Sequence, residues 1–360
     1  MCKVHIVGLG AGDLQQMPIG TYRLLKKAKH LYLRTVRHPV VKELAEEGLT
    51  YRSFDALYEQ EETFSAVYTK ITDELMRLAR EKGEITYAVP GHPLVAERTV
   101  QQLLQYADEQ ADVDIQIIGG QSFLDPLWTR LRLDPNDGFV LLDGTSLKTH
   151  HLHPELHTVI TQVYDQLVAS DIKLTLMHAY PDDYPVQVVT AVGTLEEEKV
   201  ERIHLYEVNR GIRRSDVTLV YLPPAEEDDV LNRRYDRARE IVRTLRGPDG
   251  CPWDRKQTHR SLRKYLREEI EEVLEAIEEG DPQHLQEELG DVLLQVFLHA
   301  QIAEDNDDFN MEDILQSMNE KMIRRHPHVF GDVQIDSVEE LNELWRSIKA
   351  KESAQKKSPS

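Results

Sequence analysis

The sequence predicts an α/β domain followed by an all-α one, and three observations carry that division. Over the first 222 residues short apolar runs alternate with amphipathic segments. From 259 to 304 two long stretches repeat apolar residues at three- and four-residue steps, and the charge and periodicity patterns change near residue 222. A chain of 360 residues also exceeds the usual span of one domain. The expected layout is an α/β domain at 1–222, a linker at 223–229 (PPAEEDD), a helical domain at 230–350 and a polar, disordered tail at 351–360.

In chain order, MCKVHIVGLGAG reads as a buried strand and a turn, followed by a helix from Pro18 to Ala28 and a strand at HLYLRT. A long helix is expected around 61–82, then a strand at ITYAVPG, another helix and a strand at DIQIIGG. Glycines 8, 10 and 12 follow the first strand, where a glycine-rich turn lets backbone approach a ligand closely. The spacing is not that of a dinucleotide fingerprint: Asp13 ends the turn and Pro18 precedes the helix, which argues against a nicotinamide cofactor. The histidines of THHLHPELH (149–157) are irregularly spaced and fit a polar loop better than a metal site.

The helical part is the more informative. On 259–279, Leu262, Leu266, Ile270, Val273 and Ile277 define one apolar stripe, expected to be buried. At about 100° per residue Glu269 projects roughly 60° from its centre and Glu272 roughly 120°, so the two can share one partner at the edge of the core. Glu268, Glu271, Glu275, Glu278 and Glu279 read as a solvated face. The next helix, 282–304, opens with Asp281 as N-cap and Pro282 at its first position, and is apolar almost all round, so it too should be buried. Carboxylates at Glu288 and Asp291 on such a helix need pairing, protonation or a cation, and hard Mg²⁺ with oxygen ligands is the simplest answer.

The surrounding motifs sharpen this. LRGPDGCPWDRKQTHRSL, the Glu-Glu-x-x-Glu of 268–272, the Glu-x-x-Asp of 288–291 and RRHPHVF stand in the order and spacing of MazG-type nucleoside triphosphate pyrophosphohydrolases, which 231–349 resembles. The resemblance implies an all-α bundle, usually dimeric or higher, that uses Mg²⁺ to cleave nucleoside triphosphates to monophosphate and pyrophosphate, with house-cleaning of non-standard nucleotides as a role. It assigns Glu269, Glu272, Glu288 and Asp291 to metal and Lys321 and Arg325 to phosphate oxygens; beside these, Glu268 is a candidate for proton acceptance or support of the ligands and Arg324 for substrate binding. Trp253 reads equally as a base-stacking residue and as a packing anchor. His326 and His328 flank Pro327 without a cysteine cluster and read as a structural turn.

Residues 3–222 carry a second resemblance. VGLGAGD, YAVPGHPLVAE (87–97), SFLDPLWTRLRLDP (122–135) and YPVQVVTAVGT (184–194) are similar to the tetrapyrrole methylases, whose two α/β lobes bind S-adenosylmethionine between them. The fold class expected is therefore a two-lobed, tetrapyrrole methylase-like α/β domain joined to a MazG-type helical bundle, an arrangement of the YabN type. Gly91, His92, Pro93, Ser122, Met177 and Thr190 fall in the segments that line the cofactor cleft. His92 departs from the Gly-Asp-Pro often found there, which changes charge and hydrogen-bonding capacity. Relatives with a second MazG-like half continue beyond the Trp345–Lys349 segment, where this chain reads KESAQKKSPS. Two alternatives follow: an S-adenosylmethionine-dependent methyltransferase with a helical assembly domain, and a nucleotide sensor that binds without turnover.

Composition bounds the partners. A formal net charge of −21 argues against broad binding to nucleic acid polymers or anionic membranes, so a small anionic substrate needs local basic residues and metal. Cys2 and Cys251 are expected as free thiols, and no apolar run reaches membrane-spanning length, so a cytoplasmic protein is expected.

Overall fold

The computed structural model describes residues 1–355 apart from 62, 111, 195–197, 211–217 and 336. The chain divides into two compact units, Met1–Leu231 and Asn232–Ser360.

The first unit has two lobes. Lobe one is a parallel sheet of β1 (Cys2–Gly8), β2 (Leu31–Leu33), β3 (Arg52–Ser53), β4 (Glu84–Val89) and β5 (Val113–Gly119) in the order β3-β2-β4-β1-β5. Parallel strands need crossovers, supplied here by α1 (Ile19–Lys27), α2 (Pro39–Glu46), α3 (Asp55–Gln60), α4 (Phe64–Lys82) and α5 (Arg98–Glu109). Alternation along the strands sends Val4, Ile6, Ile85 and Tyr87 to one core with α4 and α5, and Val7, Leu33 and Ala88 to another with α1 and α2. Lobe two, entered through α6 (Leu124–Leu131), is a mixed sheet of β6 (Phe139–Asp143), β7 (His157–Thr161), β8 (Pro185–Thr190), β9 (Lys199–His204) and β10 (Thr218–Leu222), in the order β6-β7-β10-β8-β9. The helix α7 (Gln166–Leu176) packs on it through Ala169, Ile172 and Leu176. The histidine-rich stretch forms one 3₁₀ turn at Thr149–His151 and a loop before His157 opens β7.

The expected linker is not free of this unit. Ala225 and Val230 are buried in the core of lobe two, α8 (Asp228–Leu231) continues it, and the division falls after Leu231. Ala225 inside the expected linker, and Val230 and Leu231 just after it, gain more from that core than from water.

The second unit consists of α9 (Tyr235–Arg246), α10 (His259–Glu279), α11 (Pro282–Glu304), α12 (Met311–Arg325), α13 (Pro327–Phe330) and α14 (Val338–Gln355). Its core joins Val242 of α9, Leu262 of α10, Phe297, Leu298, Ala300 and Ile302 of α11, and Met311 of α12. All the core residues of α11 lie in its second half, and this corrects the expected burial of both long helices. Leu262 is buried and Leu266 and Val273 partly so, but Ile270 and Ile277 are exposed, as are Leu289, Leu293 and Leu294 on α11. Apart from Ala276, the apolar residues on the end of α10 and in the first half of α11 are partly or fully exposed. The expected tail is corrected as well: α14 runs to Gln355, because its Lys, Glu, Ala and Gln residues favour helix and Glu352 is tied to α12, while 356–360 lie outside the described residues.

No helix among the described residues is long and apolar enough to cross a membrane, and Cys2 and Cys251 are both free thiols.

Candidate active site in the helical hairpin

α10 and α11 form an antiparallel hairpin whose ends are fixed locally. Thr258 Oγ1 accepts from Ser261 N (3.1 Å) while Ser261 Oγ accepts from Thr258 N (2.9 Å), a reciprocal cap on α10. Gly280, at φ +70°, ends α10 in the left-handed conformation, and Asp281 at once caps α11, accepting from Gln283 N at 2.9 Å, with Pro282 at the first position. A two-residue turn therefore sets the register that brings the acidic motifs opposite each other.

Glu269, Glu272 and Glu288 each place a carboxylate oxygen within 4.8 Å of the others, and this is the one group of potential metal ligands among the described residues. Burial pushes the Glu269 carboxyl above the ordinary carboxylate range, and the negative charges of Asp291 and Glu272 push it further. Asp291 thus adjoins the group without joining its closest set. Beneath it, buried Gln295 approaches Glu269 with Nε2 at 3.5 Å and leaves its own Oε1 buried and unpartnered. His284 bridges Glu279 (2.9 Å) and Glu288 (3.3 Å), and the Glu279 hydrogen bond raises its pKa. Glu268 is exposed one turn before Glu272, on the same side of α10.

The basic residues picked out by sequence lie at the end of α12 and form no ion pair with these carboxylates among the described residues. Arg324 and Arg325 instead both bind Glu352, and Lys321 stands one turn before Arg325. Trp253 meets Tyr265 edge-on at 5.5 Å and is 46 % exposed, so it is anchored at one edge and open on the rest of its surface. His326 Nδ1 donates to the Met322 carbonyl at 2.7 Å, as expected of a turn residue. Sequence reasoning missed the contacts of Glu352, Gln295 and His284; only His284, one turn before Glu288, left a local signal.

In the first unit, the loops after β1, β4 and β5 converge. Gly91 N donates to Gly10 O at 2.8 Å, and a Cβ on Gly8 would stand 2.1 Å from Gly91 O. A Cβ on Gly12 would stand 2.2 Å from Gly193 O, so the glycines are required by backbone packing at the lobe junction. Half-buried His38, also missed, faces Gly10 O with Nε2 at 2.8 Å and accepts from Val40 N at Nδ1, and desolvation lowers its pKa, consistent with a neutral Nε2–H tautomer. Gly91, His92 and Pro93 belong to this junction, and Ser122 follows it, its Oγ accepting from Leu124 N at 3.2 Å. Thr190 ends β8 beside Thr218, and Met177 caps α7 at an exposed position, both in lobe two.

Comparison with known proteins follows the same division. Residues 3–209 match the Tetrapyrrole (Corrin/Porphyrin) Methylases, and residues 257–330 match the MazG nucleotide pyrophosphohydrolase domain. The chain is 48% identical over 350 residues to YabN of Bacillus subtilis, described as uncharacterized, covering 97% of this chain and 71% of that one. The helical unit matches nucleoside triphosphate pyrophosphohydrolases of Thermotoga maritima (52% identical) and Escherichia coli (43%), each over 34% of this chain. The match spans 47%, about half, of the length of each of those two relatives.

Proposed function

Because the chain belongs to the YabN-type family, in which a tetrapyrrole methylase domain precedes a MazG nucleotide pyrophosphohydrolase domain, we propose that its helical unit hydrolyses nucleoside triphosphates to nucleoside monophosphate and pyrophosphate. The observation that carries this is the group Glu269, Glu272 and Glu288 within 4.8 Å, with Asp291 raising the Glu269 pKa further.

An all-oxygen donor set with crowded negative charge fits Mg²⁺, which Glu269, Glu272, Glu288 and Asp291 would hold. When bound, the ion neutralises the triphosphate and makes the attacked phosphorus more electrophilic. Gln295 steadies Glu269 from below, and His284 holds Glu288 from the outer side. Glu268 accepts the proton of the attacking water; the bond between the α- and β-phosphates breaks, and the electron pair leaves with pyrophosphate. Lys321, Arg324 and Arg325 receive phosphate oxygens, and Trp253 offers its exposed surface to a base. The role that suits this chemistry is cytoplasmic removal of non-standard nucleotides.

We propose also that the helical unit self-associates. Ile270, Leu274 and Ile277 on α10 and Leu289 and Leu293 on α11 are each about half exposed, and a second copy is the occupant that the family resemblance implies.

The glycine junction favours a second reading for the first unit. Gly10 and Gly91, at φ +86° and +63°, have open space where a side chain would stand and leave room for a methyl-donor cofactor, so Gly91, His92, Pro93, Ser122, Met177 and Thr190 would line an S-adenosylmethionine site.

Pyrophosphate release from a panel of standard and damaged nucleoside triphosphates, with and without Mg²⁺, tests the main reading. Glu269→Gln and Asp291→Asn should each lower turnover by about a hundredfold or more. Full turnover in either variant would sink the assignment, and tight binding without turnover would convert the reading to a sensor.

A further inference from the structure

α14 folds back on the end of α12. Trp345 Nε1 donates to the Arg325 carbonyl at 3.0 Å, and its ring meets that of His326 edge-on at 5.7 Å. About two turns further on, Glu352 reaches both arginines. Its Oε1 accepts from Arg324 Nε (3.0 Å) and Nη2 (2.7 Å), and its Oε2 from Arg325 Nε (3.2 Å) and Nη2 (2.6 Å). Glu352 therefore occupies the same edge, Nε and Nη2, of each guanidinium. In both, the Nη1 group and the outer hydrogen of Nη2 remain unclaimed by any other described side chain, and these form the other face of the fork. One carboxylate against two guanidiniums leaves one positive charge in excess.

We propose that Glu352 is a positioning residue, bracing Arg324 and Arg325 side by side so that their free edges receive the oxygens of a polyphosphate. The proposal rests on the reading above that these arginines take phosphate. Without the brace, two adjacent like charges on one helix end repel, and two long side chains regain their rotamer freedom; ordering them again weakens binding. The opposite role, an acid that competes with substrate for the arginines, predicts the opposite sign.

The test uses the full-length protein, with inorganic tripolyphosphate binding by calorimetry beside pyrophosphate-release kinetics. Glu352→Ala should weaken tripolyphosphate binding and raise KM by about tenfold while kcat falls by less than about threefold. Glu352→Gln, which keeps one acceptor and the shape, should recover part of the loss. If Glu352 acts through the arginines, adding Glu352→Ala to Arg324→Ala/Arg325→Ala changes binding no further. A further, additive loss in that triple variant would overturn the proposal, as would unchanged or tighter binding in Glu352→Ala. Wild-type protein that binds tripolyphosphate without hydrolysing any nucleotide would defeat the hydrolase reading alone, since the binding measurements still read Glu352.

Discussion

At the scale of single residues, charge drawn out of water is either paired or crowded with its like. Arg34 and Glu97 illustrate the first case. Glu97 is 5% exposed, it pairs with Arg34, and Arg34 Nε also donates to Tyr58 OH at 2.9 Å. Burial works to push the Glu97 carboxyl up, and the Arg34 charge opposes it. Arg34→Met leaves a buried carboxylate without a partner and should destabilise the first unit by about 3–5 kcal/mol, whereas Arg34→Met with Glu97→Leu should recover most of that. Urea unfolding followed by far-ultraviolet dichroism checks it; equal stability of the single variant and wild type would contradict the pairing. The clustered acids of α10 and α11 are the second case, because no described Lys or Arg lies within ion-pair distance of them. The contrast was only half legible beforehand. Glu269, Glu272 and Glu288 announce themselves by their spacing on two helices, while Arg34 and Glu97, 63 positions apart, carry no local signal.

At the scale of elements, periodicity located α10 at 259–279 and α11 at 282–304, to the residue, with Asp281 and Pro282 as the start signals of α11. It could not say what covers their apolar faces. Pattern gives the direction of a stripe, but burial depends on a neighbour that the pattern does not name. Leu289 and Leu293, each about half exposed, are therefore where association is read most directly. If the proposed self-association uses this face, Glu at both positions should lower the mass in solution toward one chain while helix content is kept, measured by light scattering and dichroism; a wild-type mass of one chain, or an unchanged mass in the variant, would overturn it.

For the whole molecule, the division after Leu231 separates two cores that share no element. Calorimetry of the intact protein should accordingly resolve two transitions. Mg²⁺ with a non-hydrolysable nucleoside triphosphate should raise only one of them, by about 2.7 kcal/mol at a hundredfold excess over Kd. S-adenosylhomocysteine should raise only the other. A single transition moved by either ligand would mean that the units unfold as one.

What the sequence determined by itself was everything carried by short-range spacing: the α/β-then-helical order, the limits of the two long helices, the glycine turn after β1 and the three acids that meet. These follow from 2- and 3.6-residue periods and from caps, which act within a few residues. Tertiary structure alone decided the rest. It packed Ala225 and Val230 onto lobe two, left Ile270 and Ile277 uncovered, and joined Glu352 to Arg324 and Arg325 across 27–28 positions. Each of these depends on which distant surface meets which, a choice made by the packing of the whole unit and written in no local period.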